Sequence, residues 1–493
     1  MKLYLIGHNC KYAVEQMLLT MYPEELPEYP EGAPMGDRAV ISFARGKKLA
    51  TAKCVLTMDG KTYRGSAAVP DEELRSDALA QQRLTQFMVK QAFYRAALRN
   101  IGKKPAWGSI TGIRPAKLME KSLLEGASPR LAMSEFCKRY DADRSKAQLS
   151  YFSAEAALRA RDTLQPKDIC LYVGIPFCPT RCAYCSFVSS SVEKTMHLVE
   201  PFLEALFREI EAAAAVVKEL GLRVISIYVG GGTPTTLSAE QLTRLMDALR
   251  GSFDLSMTRE ICVEAGRPDT ITPEKMAALS AAGVDRVSIN PQTMNDQVLR
   301  NIGRSHTAAD ILSAYETVRA SGDFQVNMDL IAGLPGDSAE SFSHTLDEIF
   351  RLKPENITVH TLAHKKGSAI TLAGHEHMSA DTVGEMMMET HNRMINMGYA
   401  PYYLYRQKFT PGGYENVGWT RKGYDNLYNI CIMEELCSII ALGGGASTKL
   451  VSPTGRIERI FCPKFPQEYI AGIEKVCADK IKIKEFYDAI SAE

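Results

Sequence analysis

Three cysteines in one short loop are the residues of this chain best suited to chemistry. Cys178, Cys182 and Cys185 follow the spacing Cys-x3-Cys-x2-Cys. Thiolates are the usual protein ligands of iron–sulfur clusters, so such a loop can hold three irons of a four-iron, four-sulfur cube. The fourth iron then keeps an open position, which is what a catalytic metal site requires. A disulfide or a structural zinc site fits this spacing less well, because no fourth ligand is close in the sequence.

The cysteine loop follows the first strand of a repeated strand–helix pattern. In the helical segment 198–220, apolar residues recur at helical spacing. Strands are predicted at 170–175, 223–229, 259–264, 285–289, 324–329 and 355–360. Six β-α units in series imply an α/β fold with a parallel sheet and helices outside it. In curved or closed sheets of this type, ligands lie at the carboxyl ends of the strands, where the cysteine loop is found.

A glycine-rich loop, Gly230-Gly231-Gly232-Thr233-Pro234, follows the second predicted strand. Successive glycines let the backbone approach a ligand closely and expose its N–H and C=O groups. The segment lacks Gly-Lys-Ser/Thr, so it is not a phosphate-binding P-loop. A simple tight turn is the alternative interpretation of this segment taken alone.

Polar side chains follow the third, fourth and fifth predicted strands. Glu264 ends the third strand, where a carboxylate is costly to bury unless it meets a polar partner. Gln292 offers donors and an acceptor, and Arg304 carries a fork that matches a carboxylate. Asp329 completes the series. A surface hydrogen bond or salt bridge could explain each of the last three, but their order after consecutive strands favours one shared site.

Together the motifs resemble those of a known family. The resemblance is carried by Tyr172-x5-Cys178, the cysteine triplet with Ala183 and Tyr184, the Gly-Gly-Gly-Thr-Pro loop, Gln292, Arg304, Asp329, Gly333-Leu334-Pro335-Gly336 and Ala363. These motifs resemble the radical S-adenosylmethionine (SAM) superfamily and, within it, the oxygen-independent coproporphyrinogen III oxidase (dehydrogenase) family. The resemblance covers roughly residues 165 to 450. The N-terminal extension and the run from Tyr405 to Trp419 look most like the branch found in Gram-positive bacteria.

The resemblance implies a cofactor arrangement. In this superfamily the amino and carboxylate groups of SAM chelate the open iron of a 4Fe–4S cluster, and a partial (β/α)6 barrel holds both cofactors. The implied metal ligands are Cys178, Cys182 and Cys185. The implied SAM-binding residues are Tyr172, Tyr184, Gly231, Gly232, Thr233, Glu264, Gln292, Arg304, Asp329 and Ala363. Among them, Arg304 is expected at the SAM carboxylate and Asp329 at the ribose hydroxyls.

The sequence departs from the family pattern at one position. The best-studied bacterial enzymes continue their triplet to a fourth nearby cysteine, whereas this chain has Ser186-Phe187 there. The related haem-chaperone branch also lacks that cysteine. That branch carries a His-Asn motif ahead of an aromatic pair, and the comparable stretch here, residues 415–419, reads Glu-Asn-Val-Gly-Trp. This difference favours the dehydrogenase over the chaperone without settling the choice.

The resemblance also implies a reaction. It is the oxidative decarboxylation of two coproporphyrinogen III propionates to vinyl groups, which gives protoporphyrinogen IX. A one-electron donor such as flavodoxin or ferredoxin is the expected partner beside the tetrapyrrole substrate. Three alternatives remain: a haem-binding or trafficking protein, a radical SAM enzyme acting on another macrocycle, and a structural iron–sulfur protein.

Four domains are expected along the chain. They are a small α+β domain at 1–105, a helical linker region at 106–165, the radical SAM core at 166–375 and a mostly helical, substrate-covering domain at 376–493. In the last domain four cations lie among aromatic residues: Arg406, Lys408, Arg421 and Lys422. Such a mixture suits a flat anionic tetrapyrrole, and a solvated basic face is the alternative.

Composition excludes several function classes. The 58 basic and 58 acidic residues give a net charge of zero, which argues against a generic nucleic-acid partner. We find no signal-peptide core and no apolar run long enough to span a bilayer. A cytoplasmic protein without a membrane partner is therefore expected. Cys170 falls on a predicted strand, and the scattered cysteines are expected to be packing residues: Cys10, Cys54, Cys137, Cys262, Cys431, Cys437, Cys462 and Cys477.

Overall fold

The computed structural model describes residues 1–75, 77–185, 190–191, 195–363 and 378–492. The chain forms two compact units. The first unit comprises Met1–Ile113 and Glu125–Gln148, and the second comprises Arg114–Leu124 and Leu149–Glu493. The predicted helical segment is therefore shared between the two units. Ser186 and Phe187 lie outside the described residues.

A four-stranded sheet forms the centre of the first unit. Its strands, in order across the sheet, are β1 (Lys2–Ile6), β2 (Arg38–Arg45), β3 (Leu49–Met58) and β4 (Lys61–Pro70). β1 runs parallel to β2, and the other neighbours are antiparallel. Asp59 and Gly60 join β3 to β4 with positive φ angles of 49° and 73°, as a two-residue hairpin turn requires. The meander that the sequence predicts is therefore present.

Five helices fall in the first third of the chain. They are α1 (Lys11–Met21), α2 (Ala78–Ile101), α3 (Ala116–Leu124), α4 (Pro129–Tyr140) and α5 (Arg144–Asp162). The Asp77 side chain accepts from the backbone N–H groups of Leu79 and Ala80 and so begins α2. Gly102 ends that helix in the left-handed region, at φ 72°. In the first unit, the Tyr94 hydroxyl of α2 donates to Asp141 Oδ2 at 2.7 Å.

An eleven-stranded sheet forms the centre of the second unit. Six of its strands follow the predicted β-α units: β5 (Asp168–Ile175), β8 (Arg223–Gly231), β9 (Glu260–Glu264), β10 (Arg286–Gln292), β11 (Gln325–Ala332) and β12 (Asn356–Thr361). They pair in parallel with their neighbours in chain order. Two short strands, β6 (Phe177–Cys178) and β7 (Ser190–Ser191), form a separate pair. The predicted parallel sheet is confirmed.

Amphipathic helices connect these strands. They are α6 (Val199–Leu220), α7 (Ala239–Ser252), α8 (Pro273–Ala281), α9 (Asp296–Asn301), α10 (Ala308–Ser321) and α11 (Ala339–Leu352). Ser238 and Thr307 begin α7 and α10 with reciprocal capping hydrogen bonds. In α11, Phe342, Leu346 and Ile349 are buried at helical spacing. Five of these six helices therefore start at a polar cap, whereas Leu198 precedes α6 without a side-chain cap hydrogen bond. Their buried residues face their neighbours.

The C-terminal region adds both helices and strands. Its elements are α12 (Ala380–Asn396), β13 (Tyr399–Arg406), β14 (Glu415–Arg421), α13 (Leu427–Glu434), β15 (Ser438–Gly443), β16 (Ser447–Val451), β17 (Ile457–Phe461), α14 (Pro466–Ala471), α15 (Ile473–Ala478) and α16 (Ile481–Ala492). β14 and β13 extend the sheet beyond β12 in antiparallel pairing. β15 pairs in parallel with the other edge of β5, and β16 and β17 follow it.

The sequence predicted the helices of this region but not its five strands. All six residues of β15 are buried. A short strand that is covered on both faces shows no polar–apolar alternation, so its pattern cannot be told from that of a buried helix. The sheet is therefore wider than the six predicted strands.

A buried carboxylate joins α6 to the C-terminal helices. Glu209 is fully buried and its Oε1 lies 2.5 Å from Nζ of Lys480, which is also buried. The backbone N–H of Gly443 donates to Glu209 Oε2 at 2.7 Å, and the Tyr469 hydroxyl donates to the same oxygen. These partners satisfy a charge that would otherwise be costly to bury.

Among the helices of the described residues, none is long and apolar enough to cross a membrane.

We expect Lys480→Met to destabilise the chain strongly, because it leaves the Glu209 carboxylate buried without its cation. Breaking one partner of a buried pair typically costs about 3–5 kcal/mol. Lys484→Met is the matched control, since Lys484 pairs with Glu219 at the surface and exposed pairs contribute about 1 kcal/mol or less. The free energy of unfolding from urea titration distinguishes the two, and equal losses would contradict the assignment.

Candidate functional site

A cavity of about 350 Å³ lies at the carboxyl ends of the parallel strands. Eleven of the predicted site residues line it: Cys178, Cys182, Tyr184, Cys185, Gly232, Thr233, Glu264, Gln292, Arg304, Asp329 and Ala363. They come from segments that are scattered along the sequence. Parallel pairing brings the ends of β5, β8, β9, β10, β11 and β12 to the same side of the sheet, which explains their meeting.

The cysteine loop is held in place by hydrogen bonds. The backbone N–H of Cys185 donates to Cys182 O at 3.1 Å, and that of Ala183 donates to Ile302 O at 3.0 Å. Arg267 Nη1 lies 3.7 Å from Cys182 Sγ and 3.0 Å from Thr180 Oγ1. Arg267 is only 3% exposed. A buried guanidinium therefore lies directly beside the Cys182 sulfur atom.

Two backbone hydrogen bonds join the glycine-rich loop to the cysteine loop. Gly232 N–H donates to Ile175 O at 2.8 Å, and Thr233 N–H donates to Phe177 O at 2.7 Å. The Thr233 hydroxyl also donates to Cys178 Sγ at 3.5 Å. A β-carbon on Gly232 would lie 2.4 Å from Phe177 O and 3.0 Å from Cys178 Sγ. The close approach of the two loops therefore requires glycine at position 232.

Gly231 supports this loop from behind. Its φ is 110°, and a β-carbon there would lie 3.1 Å from the backbone of Ile175. Unlike Gly232, Gly231 is not among the described residues that line the cavity. Gly231 therefore lets the end of β8 pack closely against the backbone of β5.

Arg304 is buried beneath the cavity and is already engaged by the protein. It is 6% exposed. Its Nη1 donates to the carbonyl oxygens of Gly266 at 3.1 Å and Asn290 at 2.9 Å. Its Nη2 donates to the Tyr184 hydroxyl at 2.9 Å. Its Nε has no hydrogen-bond partner in the described part of the chain. Arg304 therefore fixes the cysteine loop through Tyr184 and keeps one donor for a ligand.

Gln292 lies at an irregular point of β10. The pairing of β10 with β11 shifts register between Ile289 and Gln292, and Gln292 has a φ of 68°. Positive φ is costly for a residue with a side chain, and such strain often marks a functional site. Within the described residues, Gln292 Oε1 and Asn290 Oδ1 are buried without a hydrogen-bond donor. Both oxygens are available to a ligand that carries N–H or O–H groups.

Glu264 is a buried carboxylate with a neutral partner. The Tyr228 hydroxyl donates to its Oε1 at 2.7 Å. Burial raises the pKa of Glu264 to about 7, although the hydrogen bond from Tyr228 opposes the shift. The carboxylate therefore changes charge near neutral pH.

Asp329 stands in a different environment. Asn327 Nδ2 donates to its Oδ1 at 2.7 Å, and His360 Nε2 lies 3.8 Å from its Oδ2. Burial acts to raise the pKa of Asp329, but hydrogen bonds and the charge of His360 outweigh it, and the pKa is lowered. Asp329 therefore stays ionised beside a carboxylate, Glu264, that titrates near neutrality. His360 and Asn327 also line the cavity, and the sequence analysis did not identify them.

Tyr172 packs away from the cavity rather than in it. Its ring lies 6.3 Å from that of Tyr228, with 15° between the ring planes. Tyr228 in turn stacks on Tyr428 at 4.6 Å. Tyr172 is not among the described residues that line the cavity. The Tyr172 ring therefore supports Tyr228, and a contact of Tyr172 with SAM stays a prediction.

The four predicted substrate cations do not gather at the cavity. Arg406 is buried, donates from Nε to Gly413 O at 2.9 Å and stands opposite Glu415 in the strand ladder. β14 runs antiparallel to β12, so Arg421, at its end, bonds through its N–H to Glu355 O at the amino end of β12. Lys408 and Lys422 are exposed. Among the described residues that line the cavity, the arginines are Arg267 and Arg304, and there is no lysine.

We expect Glu264→Gln to stabilise the ligand-free protein at pH 8 but not at pH 5. Between its ordinary pKa of 4.5 and its folded value of about 7, Glu264 binds more proton in the folded state, so wild-type stability falls as pH rises through this window. The carboxylate also borders the cavity, so the gain at pH 8 is at most about 3 kcal/mol. Urea unfolding at both pH values measures it, with the exposed Glu316→Gln as control. Equal gains at the two pH values would contradict the pKa shift.

The sulfur, nitrogen and oxygen atoms around the cavity fit an iron–sulfur cluster with an amino-acid-linked nucleoside bound to it. Three thiols line one side of the cavity. Gln292 Oε1, Asn290 Oδ1 and Arg304 Nε supply unused polar atoms. Gly232 leaves space where a β-carbon would meet Cys178 Sγ. The cavity therefore offers soft ligands for a metal on one side and hydrogen-bonding groups for a polar molecule beside them.

Comparisons with known proteins agree with this geometry. The family model described as the radical SAM superfamily matches residues 172–349. The solved structure of coproporphyrinogen III oxidase (HemN) from Escherichia coli superposes with a TM-score of 0.52 and 24% sequence identity, covering 65% of this chain and 72% of that one. That likeness shows a shared fold.

Two curated relatives carry different names. The oxygen-independent coproporphyrinogen-III oxidase-like protein HemZ of Bacillus subtilis is 42% identical over 385 residues, which is 77% of each chain. The heme chaperone HemW of Haemophilus influenzae is 28% identical over 304 residues, 61% of this chain and 76% of the relative. The chain therefore belongs to the oxygen-independent coproporphyrinogen III oxidase-like family of the radical SAM superfamily, whose cofactors are a 4Fe–4S cluster and SAM.

Proposed function

We propose that the chain catalyses the oxidative decarboxylation of coproporphyrinogen III to protoporphyrinogen IX. Each of two propionate side chains loses a β-hydrogen atom and carbon dioxide and becomes a vinyl group, while one electron passes to an acceptor. The observation that carries this proposal is the meeting of the Cys178–Cys182–Cys185 loop with Glu264, Gln292 and Arg304 at one cavity. The 42% identity to a relative named oxidase-like supports it.

The chain's own residues hold and tune the cofactors. When bound, the cluster and SAM supply a 5′-deoxyadenosyl radical that abstracts the hydrogen atom. Cys178, Cys182 and Cys185 would hold the cluster. Arg267, 3.7 Å from Cys182 Sγ and paired with Asp269, would place a guanidinium beside it, and nearby charge helps to set a cluster's reduction potential. A one-electron donor such as flavodoxin or ferredoxin is the expected source of electrons.

Residues on the other side of the cavity bind SAM. Glu264 would accept a hydrogen bond from an N–H of the SAM amino group, and its pKa of about 7 keeps about half of it ionised at neutral pH. Gln292 Oε1 and Arg304 Nε, which lack partners in the described part of the chain, take ribose and carboxylate contacts. Asp329 accepts from the ribose hydroxyls.

The remaining predicted SAM residues act through the backbone and through packing. Gly232 and Ala363 lie at the surface of the cavity and allow the cofactor a close approach. Gly231 and Thr233 position the glycine-rich loop against β5. Tyr184 holds Arg304 by its hydroxyl, which links the cysteine loop to the SAM site.

The substrate side of the cavity is aromatic and amide-rich. Tyr403, Tyr405, Gln407, Asn416 and Met433 line it. Aromatic rings and an adaptable methionine suit the faces of a flat macrocycle. The amides of Gln407 and Asn416 can donate to a substrate carboxylate.

A haem-binding or trafficking protein is the second candidate. The described lining of the cavity holds two guanidinium groups, Arg267 and Arg304, and both already donate to protein atoms. A substrate with four carboxylates calls for more cations than these. A relative named heme chaperone, 28% identical over 61% of the chain, also supports this second candidate.

An anaerobic assay separates the two candidates. The reconstituted protein is incubated with SAM, a reductant and coproporphyrinogen III, and both 5′-deoxyadenosine and vinyl-bearing product are followed by mass. Matched formation of both, lost in Cys182→Ala, is the expected result. Deoxyadenosine without decarboxylated product would overturn the proposed reaction. Stable haem binding without carbon dioxide release would favour the second candidate.

We expect Gly232→Ala to push the glycine-rich loop away from the cysteine loop, which lowers stability and weakens SAM binding. The added β-carbon would lie 2.4 Å from Phe177 O, and overpacking of this kind costs about 1–3 kcal/mol of stability; if the loop moves by the same free energy when SAM binds, affinity falls roughly 5- to 150-fold. Gly251→Ala is the matched control, because a β-carbon there meets nothing within 4 Å. Isothermal titration with SAM measures the effect. Unchanged SAM affinity in Gly232→Ala would contradict the proposed approach of the cofactor to this loop.

A further inference from the structure

Three buried thiols of the second unit lie together, apart from the cysteine loop. Cys170 is on β5, Cys431 is on α13, and Cys437 directly precedes β15. The Sγ atoms of Cys170 and Cys437 are 3.8 Å apart, and all three sulfur atoms lie within 4.8 Å of one another. Across the described part of the chain, no other group of three or more His, Cys, Asp or Glu ligand atoms is as close.

The distances between these sulfur atoms suit a single metal ion. With a metal–sulfur bond of about 2.3 Å, two thiolates on a tetrahedral ion stand about 3.8 Å apart, which matches the separation of Cys170 and Cys437. An iron–sulfur cube keeps its cysteine sulfurs farther apart, because each is bonded to a different iron. We propose that Cys170, Cys431 and Cys437 bind one soft metal ion, Zn²⁺ or Cu⁺, through their sulfur atoms.

The ligand type selects the class of metal. Thiolate ligands favour Zn²⁺, Cu⁺ and iron–sulfur clusters over hard ions such as Mg²⁺ and Ca²⁺. The set has three sulfurs and no fourth His, Cys, Asp or Glu ligand among the described residues. Apolar and aromatic side chains surround it, including Ile225, Ile439 and Tyr428. A soft ion of low coordination number therefore fits this site better than an oxygen-seeking ion.

Two carboxylates face the three thiols, and each already has a partner in the protein. The carboxylates that face them are Asp168, which influences Cys437, and Glu260, which influences Cys431. Asp168 is paired with Arg223 at 2.7 Å, and Glu260 accepts from Ser226 at 3.1 Å. Metal binding forms three metal–sulfur bonds and releases the protons that the thiols carry. Zn²⁺ then offsets two of the three thiolate charges, and Cu⁺ offsets one.

The site connects the elements on which the main cavity depends. β5 leads into the cysteine loop, and β15 pairs with β5 in parallel, with Ile439 opposite Cys170. α13 carries Tyr428, whose ring stacks on Tyr228 at 4.6 Å. An ion held by Cys170, Cys431 and Cys437 would join β5, α13 and β15. This inference is independent of the proposed reaction.

Metal titration of the full-length chain tests the site. In a background with Cys178→Ser, Cys182→Ser and Cys185→Ser, the loop thiols cannot compete for metal. After chelator treatment, anaerobic addition of Zn²⁺ in one arm and Cu⁺ in the other should give about one tightly held equivalent per chain of the preferred ion. Substitution with Co²⁺ should give thiolate-to-cobalt charge-transfer absorption in the near ultraviolet. Elemental analysis and that spectrum provide the two readouts.

Two variants assign the binding to these thiols. Cys431→Ala in the same background should weaken metal binding at least about 100-fold, because even loss of an outer-shell partner costs 10- to 100-fold. Cys54→Ala, which removes a lone buried thiol of the first unit, should leave it unchanged. If Cys431→Ala does not fold by circular dichroism, alkylation of the unmodified background with and without metal decides. Burial protects cysteines such as Cys54 in both cases, whereas added metal should slow alkylation only at Cys170, Cys431 and Cys437. Absence of a stoichiometric ion, or metal-dependent protection of other cysteines, would overturn the proposal.

Discussion

The in-register pairing of β5 with β8 is the constraint on which the site depends. Gly174 stands opposite Gly230, and Ile175 opposite Gly231. The cysteine loop and the glycine-rich loop therefore leave the sheet side by side, and two backbone hydrogen bonds join them at once. A one-residue shift would move side chains to the other face of the sheet. It would also separate Gly232 from Cys178, so the order of the strands and the geometry of the metal ligands are fixed together.

The cavity combines unsatisfied polar atoms with strain, and both carry a cost in stability. Gln292 holds a positive φ and a buried oxygen without a donor in the described chain, and Glu264 is buried with only a tyrosine hydroxyl as side-chain partner. Such groups persist because the surrounding sheet over-determines their positions. Elsewhere in the second unit the buried Glu209 is fully paired. Gln292 and Glu264 are therefore available to a ligand, whereas Glu209 stabilises the fold.

Much of the fold and the cavity could be predicted from the sequence, because strand order and local spacing carry that information. Glu264, Gln292, Arg304 and Asp329 each follow a strand, and parallel pairing brings such residues together. Two placements depend on features that motif spacing does not carry. Arg421 was expected near the substrate, but β14 runs antiparallel and places it at the opposite end of β12. Tyr172 precedes the cysteines closely, yet its side chain points toward Tyr228 and Tyr428.

The spacing of residues along the sequence does not reveal which distant residues lie together in the fold. Cys170 and Cys437 are separated by 267 positions, and each taken alone is an ordinary packing residue. Lys480 and Glu209 meet across a similar distance in the sequence. His360 and Asn327 belong to no recognisable motif, and only the pairing of β11 with β12 brings them to the cavity.

The position of β15 has a consequence for how the protein is made. β5 is paired on one side by β8 and on the other by residues 438–443. During synthesis the free edge of β5 stays open until those residues have left the ribosome. Contacts between segments so far apart form slowly, and an open strand edge is a site for wrong pairing. The iron–sulfur loop that follows β5 thus reaches its final support only after residues 438–443 have been made, so delivery of the cluster is best timed after that point.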